Sequence, residues 1–159
     1  MPITSELFRI ITRADPAAVW ESLSPNARPA DYLYGLPLES SWTEGAAVAV
    51  CLPGIPGLAG AVLVADRPRR LTFTLGDRAA EPSLYVTWEV CAHPAGTVVR
   101  LYVDEIEGSA GGCIDLEAAW LPVLATLQAR LDQQVEVAER AGFAGRPDAA
   151  PSAERRPAA

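Results

Sequence analysis

The clearest absence from this 159-residue sequence is lysine, because all 13 basic residues are arginine. Without lysine, the chain cannot form a lysine Schiff base and cannot contain a phosphate-binding-loop lysine. Metal-binding residue types are also scarce, with one histidine, His93, and three widely separated cysteines at positions 51, 91 and 113. Since this set lacks the paired spacing of a zinc site, we predict no metal site. We also predict no catalytic residue and no cofactor.

Long apolar runs and an excess of positive charge are absent as well. No run of about 18 apolar residues could cross a bilayer, and the start, MPITSELFRI, lacks the cationic and apolar regions of a signal peptide. The formal net charge is -7, whereas nucleic-acid binding requires a basic surface. We therefore expect a cytoplasmic protein whose partners include neither nucleic acid nor a membrane.

The length and the distribution of apolar residues indicate one domain. A chain of this size buries about two thirds of the surface that its unfolded form exposes. Residues 144–159, AGRPDAAPSAERRPAA, have no apolar periodicity and contain three prolines. We therefore predict a single domain over residues 1–143 and a flexible tail over residues 144–159.

The order of predicted elements begins with a strand over residues 6–12. A helix follows, with Asp15 as its N-cap and Pro16 at its first position, and it should stop at Pro25. The segment NARPADYLYGLP is a second short helical or irregular piece. Glycine, proline or aspartate then separates six strand candidates, and such short breaks favour antiparallel neighbours. These strands cover residues 38–42, 46–52, 60–66, 70–75, 83–92 and 97–106.

Alternation within these strands predicts a sheet with one apolar face. Phe73 and Trp88 fall on that inward face, and Thr72, Thr87 and Arg100 fall on the opposite one. Cys51 and Cys91 lie in strand-like segments, where a reduced cysteine behaves as a small hydrophobe. A long helix follows and must cover the apolar face, because its apolar residues form one stripe. That stripe consists of Trp120, Leu124, Leu127 and Leu131.

Pro122 stands in the most apolar part of this helix, where a helix interior tolerates proline poorly. If the helix begins near Trp120 or Leu121, the proline lies in the first turn, where it lacks no hydrogen bond. If the helix runs unbroken from Asp115, Pro122 should kink it. The sequence leaves both placements open.

Several sequence segments, taken in order, resemble one superfamily. They are DPAAVWESLS, SWTEGAAVAV, GAVLVADRPRRLTFTLG, SLYVTWEV, GTVVRLYVDE and the helix containing LATLQARLD. Together, over nearly all of residues 5–133, they resemble the SRPBCC/START-like (Bet v 1-like helix-grip) superfamily, in particular the family related to the activator of Hsp90 ATPase. The resemblance implies an α+β helix-grip fold, β-α-α-β6-α, in which a curved seven-stranded antiparallel sheet wraps around the long C-terminal helix. It also implies a cavity that commonly holds a small hydrophobic or aromatic molecule.

The aromatic residues supply a candidate wall for such a cavity. Tyrosine and tryptophan bury a large apolar body and still need a hydrogen-bond partner for their polar atom, which suits a pocket. The alternative for each residue is a position in an ordinary filled core. We predict that the ligand-binding residues are Tyr32, Tyr34, Trp42, Phe73, Trp88, Trp120 and Leu124.

Three functions remain open at this stage. The first is binding of a small hydrophobic ligand, in stress response or self-resistance; the second is an enzyme of the polyketide cyclase or dehydratase type. The third is a co-chaperone-like protein interaction, which rests on the family name alone. Either a monomer or a homodimer is compatible with each function.

The remaining polar residues have structural explanations. His93 falls in a hairpin turn, and the acidic residues 104, 105 and 107 are predicted to form a solvated strand end whose side chains alternate in direction. The segment GSAGGC, residues 108–113, is predicted to be a flexible connector to the long helix.

Overall fold

The computed structural model describes residues 3–51, 53–54, 57–106 and 115–144. All strand pairs are antiparallel, and the seven-stranded sheet confirms the predicted α+β helix-grip fold. The elements are β1 (Ile3–Thr12), α1 (Pro16–Leu23), β2 (Leu38–Glu39), β3 (Ala47–Val50), β4 (Leu58–Asp66), β5 (Arg70–Leu75), β6 (Leu84–His93), β7 (Gly96–Ile106) and α2 (Leu116–Ala144). The strand order across the sheet is β1-β7-β6-β5-β4-β3-β2.

Helix α1 begins where the local sequence predicts. The Asp15 side chain accepts a hydrogen bond of 2.8 Å from the backbone N–H of Ala18, and Pro16 occupies the first position. The helix ends before Pro25, where the backbone N–H and the hydroxyl of Ser24 both donate to the Trp20 carbonyl. Local capping chemistry therefore sets both ends of this helix.

The second short helix of the predicted order is replaced by irregular backbone. Residues 32–35 form a turn, and Tyr34 and Gly35 both have positive φ angles, 55° and 74°. A right-handed helix requires negative φ at every residue, so these two residues prevent one from forming here. Of the two possibilities for this segment, the irregular one is confirmed, and the chain order is β-α-β6-α within the described residues.

The inward face of the sheet follows the predicted alternation. Leu71 of β5 lies opposite Trp88 of β6, and both are fully buried with Phe73. Arg70 and Glu89 lie opposite each other on the other face. The strand phase is therefore the one that alternation predicted.

Helix α2 covers this apolar face and is hydrogen-bonded to the end of β1. The Asp132 carboxylate accepts from the Thr12 hydroxyl at 2.7 Å and from the Arg13 backbone N–H at 2.9 Å. The Gln128 side-chain amide donates to the Ile11 carbonyl at 2.7 Å. The buried side chains of α2 are Leu116, Trp120, Val123, Leu124, Leu127 and Leu131.

Pro122 lies inside α2. The helix begins at Leu116, and the Asp115 carboxylate accepts from the Ala118 backbone N–H at 3.0 Å, as an N-cap does. Pro122 is consequently seven residues into the helix, and its missing N–H leaves the Ala118 carbonyl without the usual donor four residues on. Of the two placements that the sequence leaves open, the structure has the longer helix.

Two predictions about exposure were wrong. Cys51 and Cys91 are exposed rather than buried, because Cys51 follows the end of β3 and Cys91 points outward from β6. Glu105 is only 6% exposed, because it falls on the inward face of β7, whereas the adjacent Asp104 points outward and accepts from the Ser5 hydroxyl. Cys113, Glu107 and the GSAGGC connector lie outside the described residues, as does the predicted tail from residue 145 onward.

Candidate functional site

Six of the seven predicted ligand-binding residues, which we call the aromatic cluster, belong to the main hydrophobic core between the sheet and the helices, a core that also contains Trp20 of α1. Two edge-on ring contacts join four of them: Tyr32 with Trp88, whose ring centroids are 5.5 Å apart, and Trp42 with Phe73, at 5.7 Å. Edge-to-face geometry at this separation is favourable for aromatic pairs. The remaining two members of the cluster, Trp120 and Leu124, are supplied by α2.

The pair of Tyr32 and Trp88 carries the two polar atoms of this cluster that lack partners. Tyr32 Oη and Trp88 Nε1 are completely buried, and neither has a hydrogen-bond partner in the described structure. Burial raises the pKa of the Tyr32 phenol above its usual range. Because the two rings are in edge-on contact, both polar atoms belong to one region of the apolar interior, where the lack of a partner costs free energy.

Tyr34 occupies a different position from the other six residues. Its side chain is 59% exposed, and its hydroxyl donates to the Ala119 carbonyl of α2. The positive φ of Tyr34 turns the chain so that Tyr32 points inward and Tyr34 reaches along the outside to α2. Tyr34 thus fastens the segment that carries Tyr32.

We call residues 30–37 the cover loop, because it carries Tyr32 and lies against α2. Its two ends meet where Ala30 and Leu38 exchange backbone hydrogen bonds of 2.9 and 2.8 Å. A second contact to α2 is an ion pair of 2.5 Å between Asp31 Oδ1 and Arg130 Nη1, both about half exposed. Together with the hydroxyl of Tyr34, this pair fastens the cover loop at two points that lie 11 residues apart along α2, Ala119 and Arg130.

An outer cleft leads from solvent to the cover loop. Its volume is about 400 Å³, and Tyr32 and Leu127 are its buried lining residues. The ion pair of Asp31 and Arg130 lies in the same cleft. Because Tyr32 contacts this cleft on one side and Trp88 on the other, it separates the cleft from the aromatic cluster.

Leu124 also lines a groove on the opposite side of α2. This groove, about 540 Å³, runs between α2 and β1, and the exposed side chains of Leu7 and Leu121 border it. Since β1 is an edge strand, the groove lies at the open edge of the sheet and away from the cover loop.

Sequence reasoning missed Asp31 and Arg130 altogether. Their positions are 99 residues apart in the chain, and neither stands in a motif, so no local signal connects them. Glu105 was recognised as acidic but not as inward-facing, although the alternation that placed Leu101 inward also applies to it.

Two classes of site are not formed by the described residues. No group of three or more histidine, cysteine, aspartate or glutamate side chains in these ranges could hold a metal ion. Among the same residues, no helix is both long enough and apolar enough to cross a membrane.

Comparison with known proteins identifies the fold. No family model and no curated protein matches the sequence. Solved structures do match: the protein MLL2253 from Mesorhizobium loti has a TM-score of 0.67 and 16% identity over 82% of this chain and 98% of its own. The Aha1 dimer from Colwellia psychrerythraea has a TM-score of 0.65 and 14% identity over 81% of this chain and 96% of its own. The AHSA1-like protein from Aeromonas hydrophila has a TM-score of 0.61 and 16% identity over 84% and 94%.

Proposed function

Because the chain has the helix-grip fold found in Aha1-like structures, we propose that it binds a small hydrophobic or aromatic molecule between the sheet and α2, beneath the cover loop. The walls of this site are Tyr32, Trp42, Phe73, Trp88, Trp120 and Leu124. Tyr34 acts from outside by holding the cover loop against α2.

One observation carries this proposal: two polar atoms without partners lie inside an apolar aromatic cluster. Buried polar groups in folded proteins almost always have a partner, so an exception requires an explanation. A ligand that donates or accepts a hydrogen bond there would provide the missing partner. The outer cleft ends at Tyr32, so a small molecule in it reaches the cluster once the cover loop moves Tyr32 aside.

The expected affinity is moderate. Contact with about 200 Å² of aromatic wall, roughly the surface of one large aromatic side chain, is worth about 5 kcal/mol at about 25 cal/mol/Å². Loss of translational and rotational freedom offsets much of this gain. Micromolar binding therefore requires a polar contact in addition to the aromatic wall.

A fluorescence titration tests the proposal. The neutral probe N-phenyl-1-naphthylamine fluoresces strongly in apolar surroundings, so its signal should rise to saturation at one probe per chain. Trp88→Phe should weaken this binding about tenfold, since it removes wall surface and the indole N–H. Val98→Ala is the control, because Val98 is also buried but lies outside this core cluster, and it should leave probe affinity unchanged. A signal that does not saturate, or equal effects of both substitutions, would refute the proposal.

A second candidate function is an enzyme of the polyketide cyclase or dehydratase type. Glu105 favours it, because it is a buried carboxylate on the inward face and could exchange a proton with a bound molecule. Glu105 is four positions along β7 from Leu101, the partner of Trp88, which corresponds to about 13 Å along a strand. Turnover of an aromatic polyketone that Glu105→Gln abolishes without weakening its binding would support this function over simple binding.

A further inference from the structure

The Tyr32 and Trp88 pair also restricts the chemistry of the ligand, on the premise that the proposed function is correct. An indole N–H can only donate a hydrogen bond, whereas a phenol hydroxyl can donate or accept one. A single acceptor atom placed between them can receive both hydrogens. An oxygen with two lone pairs, such as a carbonyl oxygen, has this capacity.

Charge further restricts the ligand. The buried polar and charged side chains among the described residues are threonines, one serine and Glu105, so no cation is buried there. Two cations, Arg28 and Arg130, line the outer cleft, but both are about half exposed and both lie within ion-pair distance of Asp31. An anionic ligand inside the aromatic cluster would therefore lose its hydration without gaining a buried counter-charge.

We infer that this site selects a neutral aromatic molecule bearing a carbonyl-type acceptor oxygen, which accepts hydrogen bonds from Tyr32 Oη and Trp88 Nε1. The aromatic body contacts Trp42, Phe73 and Trp120, while the oxygen lies at the Tyr32 end of the cluster. The two hydrogen-bond donors therefore determine which ligand is preferred, and contact with the apolar wall supplies most of the binding free energy.

Three naphthalene derivatives of similar size test the inference. They are the ketone 2-acetylnaphthalene, the hydrocarbon 2-isopropylnaphthalene and the anion 2-naphthoate. Equilibrium dialysis measures the binding of each to the full chain, to Tyr32→Phe, to Trp88→Phe and to the double variant. Val98→Ala again serves as the control, and circular dichroism establishes that each variant is folded.

The measured quantity is the affinity ratio of ketone to hydrocarbon, compared between proteins so that the difference in hydrophobicity of the two probes cancels. The wild-type ratio should exceed that of the double variant at least about tenfold, since each donor contributes about 1 kcal/mol. Tyr32→Phe removes only a hydroxyl and should give an intermediate ratio. Val98→Ala should keep the wild-type ratio, and the anion should bind wild type at least about tenfold more weakly than the ketone.

Other outcomes separate the two proposals. If both neutral probes bind but the ratio is the same in wild type and double variant, the inference fails and the proposed function stands. Wild-type binding of 2-naphthoate as tight as that of the ketone would also overturn the inference. If neither neutral probe binds to wild type, the proposed function fails and the inference fails with it. A bound water alone would leave the ratio unchanged while Tyr32→Phe lowers stability, and that result counts against the inference.

Discussion

At the scale of single residues, Tyr32 is unusual because its hydroxyl is fully buried among apolar side chains without a hydrogen-bond partner. Removing one member of a satisfied hydrogen bond is costly, whereas removing an unsatisfied polar atom is neutral or stabilising. The same burial raises the pKa of the phenol. Both effects can be measured on Tyr32→Phe.

Tyr32→Phe should keep or raise the free energy of unfolding at pH 7, by up to about 1 kcal/mol. Above pH 10 the unfolded chain releases the Tyr32 proton while the folded chain retains it. Wild-type stability should therefore fall with rising pH, by up to about 1.4 kcal/mol per pH unit from this group, and the variant should lack that part of the slope. Urea denaturation at several pH values between 7 and 11 measures both quantities.

Tyr102, whose pKa is raised by its hydrogen bond to Glu89, is present in both proteins, so the difference between their slopes isolates Tyr32. A loss of stability in the variant at pH 7 would mean that the hydroxyl has a partner after all. Identical slopes in the two proteins would contradict the raised pKa.

At the scale of elements, α2 contains an interior proline, which destabilises a helix. Pro122 is exposed and interrupts the hydrogen bonding of a 29-residue helix. The Tyr34 hydroxyl donates to the Ala119 carbonyl, which is next to the Ala118 carbonyl that Pro122 leaves without a donor. The cover loop therefore contacts α2 at the turn where the backbone hydrogen bonding is incomplete. The proline therefore lies beside both Trp120 and the outer anchor of the loop.

Pro122→Ala should raise the free energy of unfolding by up to about 3 kcal/mol, because alanine restores the N–H and removes the ring from the preceding turn. The control is Thr126→Ala, which alters an exposed position one turn later and should gain less than about 1 kcal/mol. Urea denaturation gives both values. A loss of stability in Pro122→Ala would show that packing of α2 on the sheet depends on the proline.

At the scale of the whole molecule, the cover loop precedes strands β2–β7 in the chain and α2 follows them, yet the two lie against each other beside the aromatic cluster. The ion pair of Asp31 and Arg130 is half exposed, and such pairs contribute up to about 1 kcal/mol. On the proposed route beneath the cover loop, a contact of that size would slow ligand entry without preventing it.

Arg130→Met should therefore speed both association and dissociation of N-phenyl-1-naphthylamine by up to about fivefold, with little change in equilibrium affinity. Stopped-flow fluorescence measures the two rates. Arg13→Met is the matched control, because it breaks the comparable pair with Glu139 elsewhere on α2, and it should leave both rates unchanged. Rates that do not differ between Arg130→Met and wild type would argue against entry beneath the cover loop.

Much of the fold could be predicted because its signals are local. The alternation in β5 and β6 placed Phe73 and Trp88 inward, and the N-cap of α1 follows from Asp15 and Pro16 in adjacent positions. The same local rules left residues 26–37 either helical or irregular, and the positive φ at Tyr34 shows that this segment is irregular. The candidate site was predicted as six aromatic residues and Leu124, without the distinction between Tyr32 inside and Tyr34 outside.

The sequence by itself determined the strands, the faces of the sheet and the apolar stripe of α2, because periods of two and of about 3.6 residues are properties of the backbone. Only the tertiary structure decided that Tyr32 meets Trp88 and that Asp31 pairs with Arg130. These contacts join residues distant in the chain, and they arise only when the sheet and α2 enclose a common volume. The tertiary structure also decided that Tyr32 Oη and Trp88 Nε1 lack partners, since a polar atom loses its water partners only when folding buries it.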